Sequence, residues 1–372
     1  MPTLQFATRS VRLAAVTVLV AGVTAASVPA TAAAARTGSA APAASSAVSG
    51  QLFGVAAVSA RSAWAVGLRT GGTLILRWNG TSWNRVSSPA PGTGSSLAAV
   101  AATSSRNAWA VGSYHSGATS KTLIVHWNGS AWRQVPSPTP AGGAALASVA
   151  ATSAGNAWAV GSSGTRTLIL HWNGKTWTQA PGPGVRGELN GVAAAGSVAW
   201  AVGIATPSHG PGKTLIERWN GRAWTRVTSP TPQAYGDLFG VAIVSPGNAW
   251  AVGAYGNGLG SFNTLIEKWN GKTWTRVSSP NEGGPLNGVA ATSAHSALAV
   301  GCSECDSGLD VNQLLRWNGS AWTKAPGPSL GQGRFLEAVA AISASSAWAV
   351  GVNGPSFTTL IMRWNGTAWK LS

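Results

Sequence analysis

Few residues in this chain could carry chemistry. The densest group is Cys302-Ser303-Glu304-Cys305, followed by Asp306 and Asp310. Two cysteines do not complete a tetrahedral zinc site, and the compartment expected from the N-terminus is oxidising, so Cys302 and Cys305 are expected to form a local disulfide. Glu304, Asp306 and Asp310 offer oxygen ligands for calcium, although their spacing is not that of an EF-hand loop. Tyr114-His115, His209 and Tyr255 supply the residue types that a copper oxidase uses. The whole chain holds nine Asp and Glu, and no nucleophile elbow, phosphate loop or metalloprotease motif occurs in it. No catalytic residue is therefore assigned, no cofactor is expected apart from that calcium, and the chain reads as a non-enzymatic protein.

These groups sit on a strongly repetitive scaffold. Residues 1–32 read as a signal peptide: Arg9 and Arg12 precede an apolar stretch from Leu13 to Ala26, and Ala30-Thr31-Ala32 offers a cleavage site. Residues 33–50, rich in Ala, Ser and Gly, read as a flexible leader. The mature protein is expected to be secreted or attached to the cell surface as a monomer, without a membrane span.

From residue 51 to 372 one unit recurs seven times. Trp-Asn-Gly begins at Trp78, Trp127, Trp172, Trp219, Trp269, Trp317 and Trp364, with a second Trp five residues after each. The phrase Ala-Trp-Ala-Val-Gly supplies six more, at Trp64, Trp109, Trp158, Trp200, Trp250 and Trp348, and Leu298 stands in the sixth copy. These positions account for all 20 Trp, so tryptophan here is first a structural residue. In the first copy, residues 52–58, 63–67, 73–78 and 82–86 read as strands a to d. Asn79-Gly80 suits a two-residue type I′ hairpin between c and d, which would set Leu76 opposite Trp83. Pro-rich stretches such as Ser87-Ser88-Pro89-Ala90-Pro91 follow strand d. Four strands per unit of 40 to 50 residues, seven times over, predict an all-β, seven-bladed β-propeller of four-stranded antiparallel blades. Small residues in strand a (Gly54 to Ala57) suit the crowded axis, and the large ones in c and d suit the rim, where blades splay apart.

The unit resembles those of kelch-type and galactose-oxidase-like propellers. The likeness lies in the inner strand, the apolar second strand ending in Gly, the aromatic near the c–d turn, and the Trp83-Asn84-Arg85-Val86 run before the Pro-rich exit. It has one Gly after strand b where kelch has two. Gly174-Lys175-Thr176-Trp177 and Gly271-Lys272-Thr273-Trp274 are similar to the later half of the Asp-box turn of sialidase-like propellers, with Trp172 and Trp269 where the Asp would stand. The adjacent Tyr114-His115 pair is similar to one in the galactose oxidase family; the alternative to a binding protein is a secreted propeller enzyme, a copper-type oxidase, glycoside hydrolase or lyase, with its site over the central channel. These likenesses imply a fold, and propellers host enzymes, lectins and scaffolds alike.

Such a propeller carries its a–b and c–d turns on one face and its b–c and d–a loops on the other. The loops vary in length and are the expected functional face. Tyr114, Tyr235, Tyr255, Phe262 and Phe357 fall there and are expected to stack against a glycan, a cell-wall polymer or a protein partner. Arg77, Arg218, Lys268, Arg316 and Arg363, each just before Trp-Asn-Gly, form an expected basic rim able to hold an anionic polymer, opposed on those hairpins by Glu217 and Glu267. Sequence-specific nucleic-acid binding is not expected.

Overall fold

The computed structural model describes residues 48–257, 262–303 and 311–372. The residues read as a signal peptide, and most of those read as a leader, fall outside that range. Among the described residues, 28 strands form seven four-stranded antiparallel sheets, each following chain order from inner to outer strand. Helix is confined there to one 3-10 turn, Gly354–Ser356, and no helix is long and apolar enough to cross a membrane. The first blade is Gln51–Ser59, Ser62–Arg69, Gly72–Trp78 and Trp83–Val86. The other inner strands are Thr93–Ser104, Ala144–Ser153, Gly187–Ala195, Tyr235–Ser245, Leu286–Ser293 and Arg334–Ser343.

The core lies between blades. Each of seven apolar clusters joins one face of a blade to the facing side of the next. Both faces of a blade are therefore buried, and the phrase Ala-Trp-Ala-Val-Gly meets that demand. Alternation along strand b sends Trp64 and Val66 toward blade 2 and Ala63 and Ala65 toward blade 7. The two alanines leave room for Trp348, which arrives from blade 7. Gly67 answers a different constraint. Strand a bulges between Leu52 and Gly54, and a Cβ at Gly67 would overlap the Gln51 carbonyl oxygen.

Each b-strand Trp inserts between the two rim tryptophans of the following blade. Trp64 meets Trp127 at 5.0 Å and Trp132 edge-on at 5.1 Å and 85°. The same trio recurs at four further interfaces, and Trp348 closes the ring on Trp78 and Trp83. The interface between blades 6 and 7 holds Leu298 instead, with Leu330 and Ala325 filling around Trp364 and Trp369. The d-strand indole nitrogens are buried without an oxygen acceptor. Except at Trp369, each of these rings meets a b-strand indole nearly at right angles, at 82–87°.

The c–d connection departs from a two-residue hairpin. Trp78 pairs with Trp83, and Leu76 pairs with Arg85, so the loop holds four residues. Asn79 does not adopt the positive φ that a type I′ turn requires, whereas Gly80 does, at 105°. The Asn79 side-chain oxygen instead accepts the backbone N–H groups of Thr81 and Ser82, both at 2.9 Å. Trp78, Trp83 and Leu76 still share a face. The Trp78 indole N–H donates to the Ala60 carbonyl at 3.0 Å, a bond repeated at Trp127, Trp172, Trp269, Trp317 and Trp364. These bonds hold a–b turns and c–d loops together on one face. On the other, the Thr73 hydroxyl donates to the Pro89 carbonyl at 3.0 Å, tying the Pro-rich exit to the start of strand c.

The expected leader runs too far by three residues. Gly50 N–H donates to the Phe357 carbonyl and Thr359 N–H to the Val48 carbonyl, both at 2.9 Å. Residues 48–50 thus pair with the third strand of blade 7, Thr358–Trp364, and help close the ring.

Candidate functional site

Around the axis, the inner strands approach so closely that only small side chains fit between them. A Cβ on Gly54 would stand 2.8 Å from the Ala99 Cα, and Ser148, Gly191, Gly240, Gly288 and Ala338 occupy the equivalent places. The remaining channel is a cavity of about 170 Å³, below the roughly 300–1,000 Å³ of small-molecule pockets. A ligand larger than a few waters must therefore lie over the faces.

Beside the channel on the loop face, blades 4 and 5 bring together a polar group that the sequence reading passed over. Asp237 is buried; it accepts a hydrogen bond from Asn190 Nδ2 at 2.9 Å, and the Tyr235 hydroxyl lies 3.5 Å from its other oxygen. Asn190 Nδ2 also donates to the Leu238 carbonyl at 3.0 Å. Burial, and then the charge of Glu188, push the Asp237 carboxyl well above the usual range. Tyr235 is pushed up as well, by burial and by Asp237. A signal existed: Glu188 and Asp237 occupy the place before the inner-strand Leu that holds Gln51, Ser96 and Ala145 in blades 1 to 3.

Of the five loop-face aromatics, Tyr235 and Phe262 meet edge-on at 5.3 Å. Both pair with Gly256, whose lack of a side chain leaves them room to touch. Tyr114 is half-buried and packs on the core between blades 1 and 2. Tyr255 corrects the expectation of an exposed ring. It is 8% exposed, lies in the core between blades 4 and 5, and is capped by Arg276, whose guanidinium sits 4.3 Å from the ring centre and donates to the hydroxyl. Phe357, at φ 47°, is held at the ring closure by its carbonyl bond to Gly50.

The loop face also carries a groove of about 640 Å³ on blade 3, floored by Ile169 and walled by Pro140, Ala141, Pro181 and Gly182, with Arg166 on its border. Arg166 Nη1 donates to the Gly184 carbonyl at 2.6 Å. A second groove of about 400 Å³ repeats this arrangement on blade 4, with Lys213 and Arg226 beside Thr214 and Ser229.

The expected basic rim is largely an aromatic-stacked layer. Arg77 lies 5.2 and 5.4 Å from the ring centres of Trp64 and Trp127, and Arg218 and Lys268 likewise bridge two tryptophans of adjacent blades. Arg363 lies over Trp348. His126 and His171 stack at 4.1 Å on Trp109 and Trp158, and each donates from Nε2 to an Asn oxygen at 2.7 Å. Burial pushes both imidazoles down. Arg316 is exposed and faces Leu298 across the ladder, having no Trp there to cover. Cation–π contacts of this kind contribute about 0.5–2 kcal/mol each. Glu217 and Glu267 do not oppose this layer on the surface: each occupies the core position of Leu76, and each is fully buried.

Cys302 is buried and disulfide-bonded; Cys305, the other cysteine of the chain, lies outside the described residues, as do Glu304, Asp306 and Asp310. Mass spectrometry of unreduced protein is expected to find no free thiol. Two alkylatable thiols would refute the Cys302–Cys305 pairing. Among the described residues, no three His, Cys, Asp or Glu side chains converge to hold a metal ion.

The chain is thus a seven-bladed β-propeller with its grooves and its polar cluster on the loop face. No protein-family model matches it, and no curated protein matches it. Among solved structures it is similar to YCF48 bound to D1 peptide, with a TM-score of 0.55 and 16% identity over 85% of this chain and 92% of that one. It is also similar to YCF48 from Cyanidioschyzon merolae, with a TM-score of 0.56 and 15% identity over 85% and 96% of the two chains. At such identity the likeness concerns the fold alone. Neither of these two structures is a kelch-type or galactose-oxidase-like propeller.

Proposed function

We propose that this propeller is a secreted, non-enzymatic binding protein that holds an extended peptide segment of a protein partner across the loop face of blades 3 to 5. The observation that carries the reading is the blade 3 groove of about 640 Å³, whose lining mixes Ile169, Pro140 and Pro181 with Thr167 and Gln179 and includes one guanidinium, that of Arg166. Such a groove suits a chain with alternating apolar and polar side chains. The Tyr235–Phe262 pair on blade 5 supplies an aromatic ledge on the same face. One similar fold is seen with a peptide bound, which supports a peptide over a glycan.

A display library of unstructured peptides, panned on the folded protein, tests this. Enriched peptides are expected to bind with micromolar Kd. Arg166→Ala and Phe262→Ala are each expected to weaken them about tenfold, a loss of roughly 1.4 kcal/mol, without lowering the thermal midpoint. A library without enrichment, beside saturable binding on a glycan array, would transfer the function to sugar recognition.

A further inference from the structure

The acidic residues of this chain are few and are distributed unevenly. No Asp or Glu precedes Glu188, while ten Lys and Arg lie between Arg61 and Arg186, the span of blades 1 to 3. Folding buries four of the six acids among the described residues. Among the described residues, Glu217, Asp237, Glu267 and Glu337 are buried, Glu188 is half-buried, and Glu282 is paired with Lys324. A protein surface usually intersperses both signs, and here one sector lacks the negative one.

Of the ten cations in that sector, Arg69, Lys121, Arg166 and Arg186 stand at the loop face and Arg77 is stacked between two tryptophans, which leaves five on the turn face and the adjoining outer edge. Arg61 and Arg106 stand on a–b turns and lie against Gly80 and Gly129 of the neighbouring c–d loops. Lys175 stands on the c–d loop of blade 3, and Arg85 and Arg133 on the short outermost strands of blades 1 and 2. All five are exposed. No exposed aromatic accompanies them among the described residues, since the one large hydrophobic side chain exposed there is Leu371. Recognition by this surface is therefore recognition of charge, without stacking on a base or sugar.

We infer that the turn face of blades 1 to 3 binds a flexible linear polyanion with phosphate charge along its backbone, of the polyphosphate or polyphosphodiester kind. A flexible chain can follow the curve of three blades and engage all five cations, whereas a rigid duplex meets a convex edge at few points. Attraction arises from release of the counterions condensed on the polymer. This site lies on the opposite face from the peptide groove and does not depend on it.

The probe is long-chain inorganic polyphosphate, titrated by fluorescence anisotropy from about 50 to 300 mM NaCl, with duplex DNA of equal charge in parallel. Five contacts are expected to give a slope of log K against log salt of about −3 to −4. The variant R61Q/R85Q/R106Q/R133Q/K175Q is expected to lose about 100-fold or more in affinity at the lowest salt. The variant R222Q/R226Q/K272Q/K324Q/K370Q removes five charges from blades 4 to 7 and is expected to lose less than tenfold. Equal losses from both variants, or tighter binding of the duplex, would overturn the assignment. Hydrogen exchange on the unmodified protein gives an independent reading. Protection by polyphosphate is expected at the turns bearing Arg61, Arg106 and Lys175, and protection elsewhere alone would overturn it too.

Discussion

Replacing Trp348 by Ala is expected to destabilise the folded disc by about 3–5 kcal/mol. Trp348 is 1% exposed and bridges the last blade to the first, tilted on Trp78 at 4.8 Å and edge-on to Trp83 at 5.1 Å. Truncation opens a cavity at the interface where the two ends of the propeller meet, and it strips Arg363 of the ring beneath it. Chemical denaturation of both proteins measures the difference, and a loss below about 1 kcal/mol would show that ring closure rests on other contacts. Trp348→Leu is expected to cost less than Ala. Leu298 shows that a blade tolerates Leu at this place, but there Leu330 fills the remaining volume.

Stability is expected to fall as pH rises from about 4.5 through 8, and Glu217→Leu with Glu267→Leu is expected to abolish most of that fall. Burial raises Glu217 to about 7 against the opposing charge of Arg226. Burial raises Glu267 to about 8 although the Ser229 hydroxyl donates to both its oxygens, at 3.0 and 3.2 Å. An acid whose pKa is higher folded than unfolded binds more protons in the folded state across that interval. Its contribution is complete below the unfolded value and is lost as pH passes the folded one. The change amounts to on the order of 3 to 5 kcal/mol per glutamate as an upper limit. Asp237 acts in the same direction, while His126 and His171, lowered by burial, act oppositely below about 6.5. The decline between pH 6.5 and 8 therefore reads the carboxylic acids. Leu suits both sites, since blades 1 and 3 hold Leu76 and Leu170 there. Denaturation midpoints at pH 5 and pH 8 test the prediction, and a double variant with an unchanged pH slope would refute it.

The sequence alone determined that there are seven units, four strands to a unit, and where tryptophan recurs. Those facts are local: alternation within a strand, an Asn-Gly signal at each c–d turn, prolines after the fourth strand of the first six units. A ring of like blades turns one local pattern into the whole architecture, because each unit's neighbour is another copy of itself. Even there the hairpin register departs from the two-residue turn that Asn-Gly suggests, since the type of the turn hangs on whether Asn79 takes a positive φ or spends its side chain on the next two N–H groups. The tertiary structure decided the rest. Alternation says that Trp64 and Ala65 point to opposite sides of a strand, and only the packed ring says which neighbour each side meets. Read residue by residue, Arg77, Lys268, Glu217 and Glu267 belong to a common rim because each stands on the third strand of its blade. In the disc, Arg77 and Lys268 lie over indoles, while Glu217 and Glu267 are sealed between blades. The contact of Asn190 with Asp237 crosses from one blade to the next, and a pairing across 47 residues has no periodicity to announce it. It exists because closing the ring brings successive inner strands side by side around one axis.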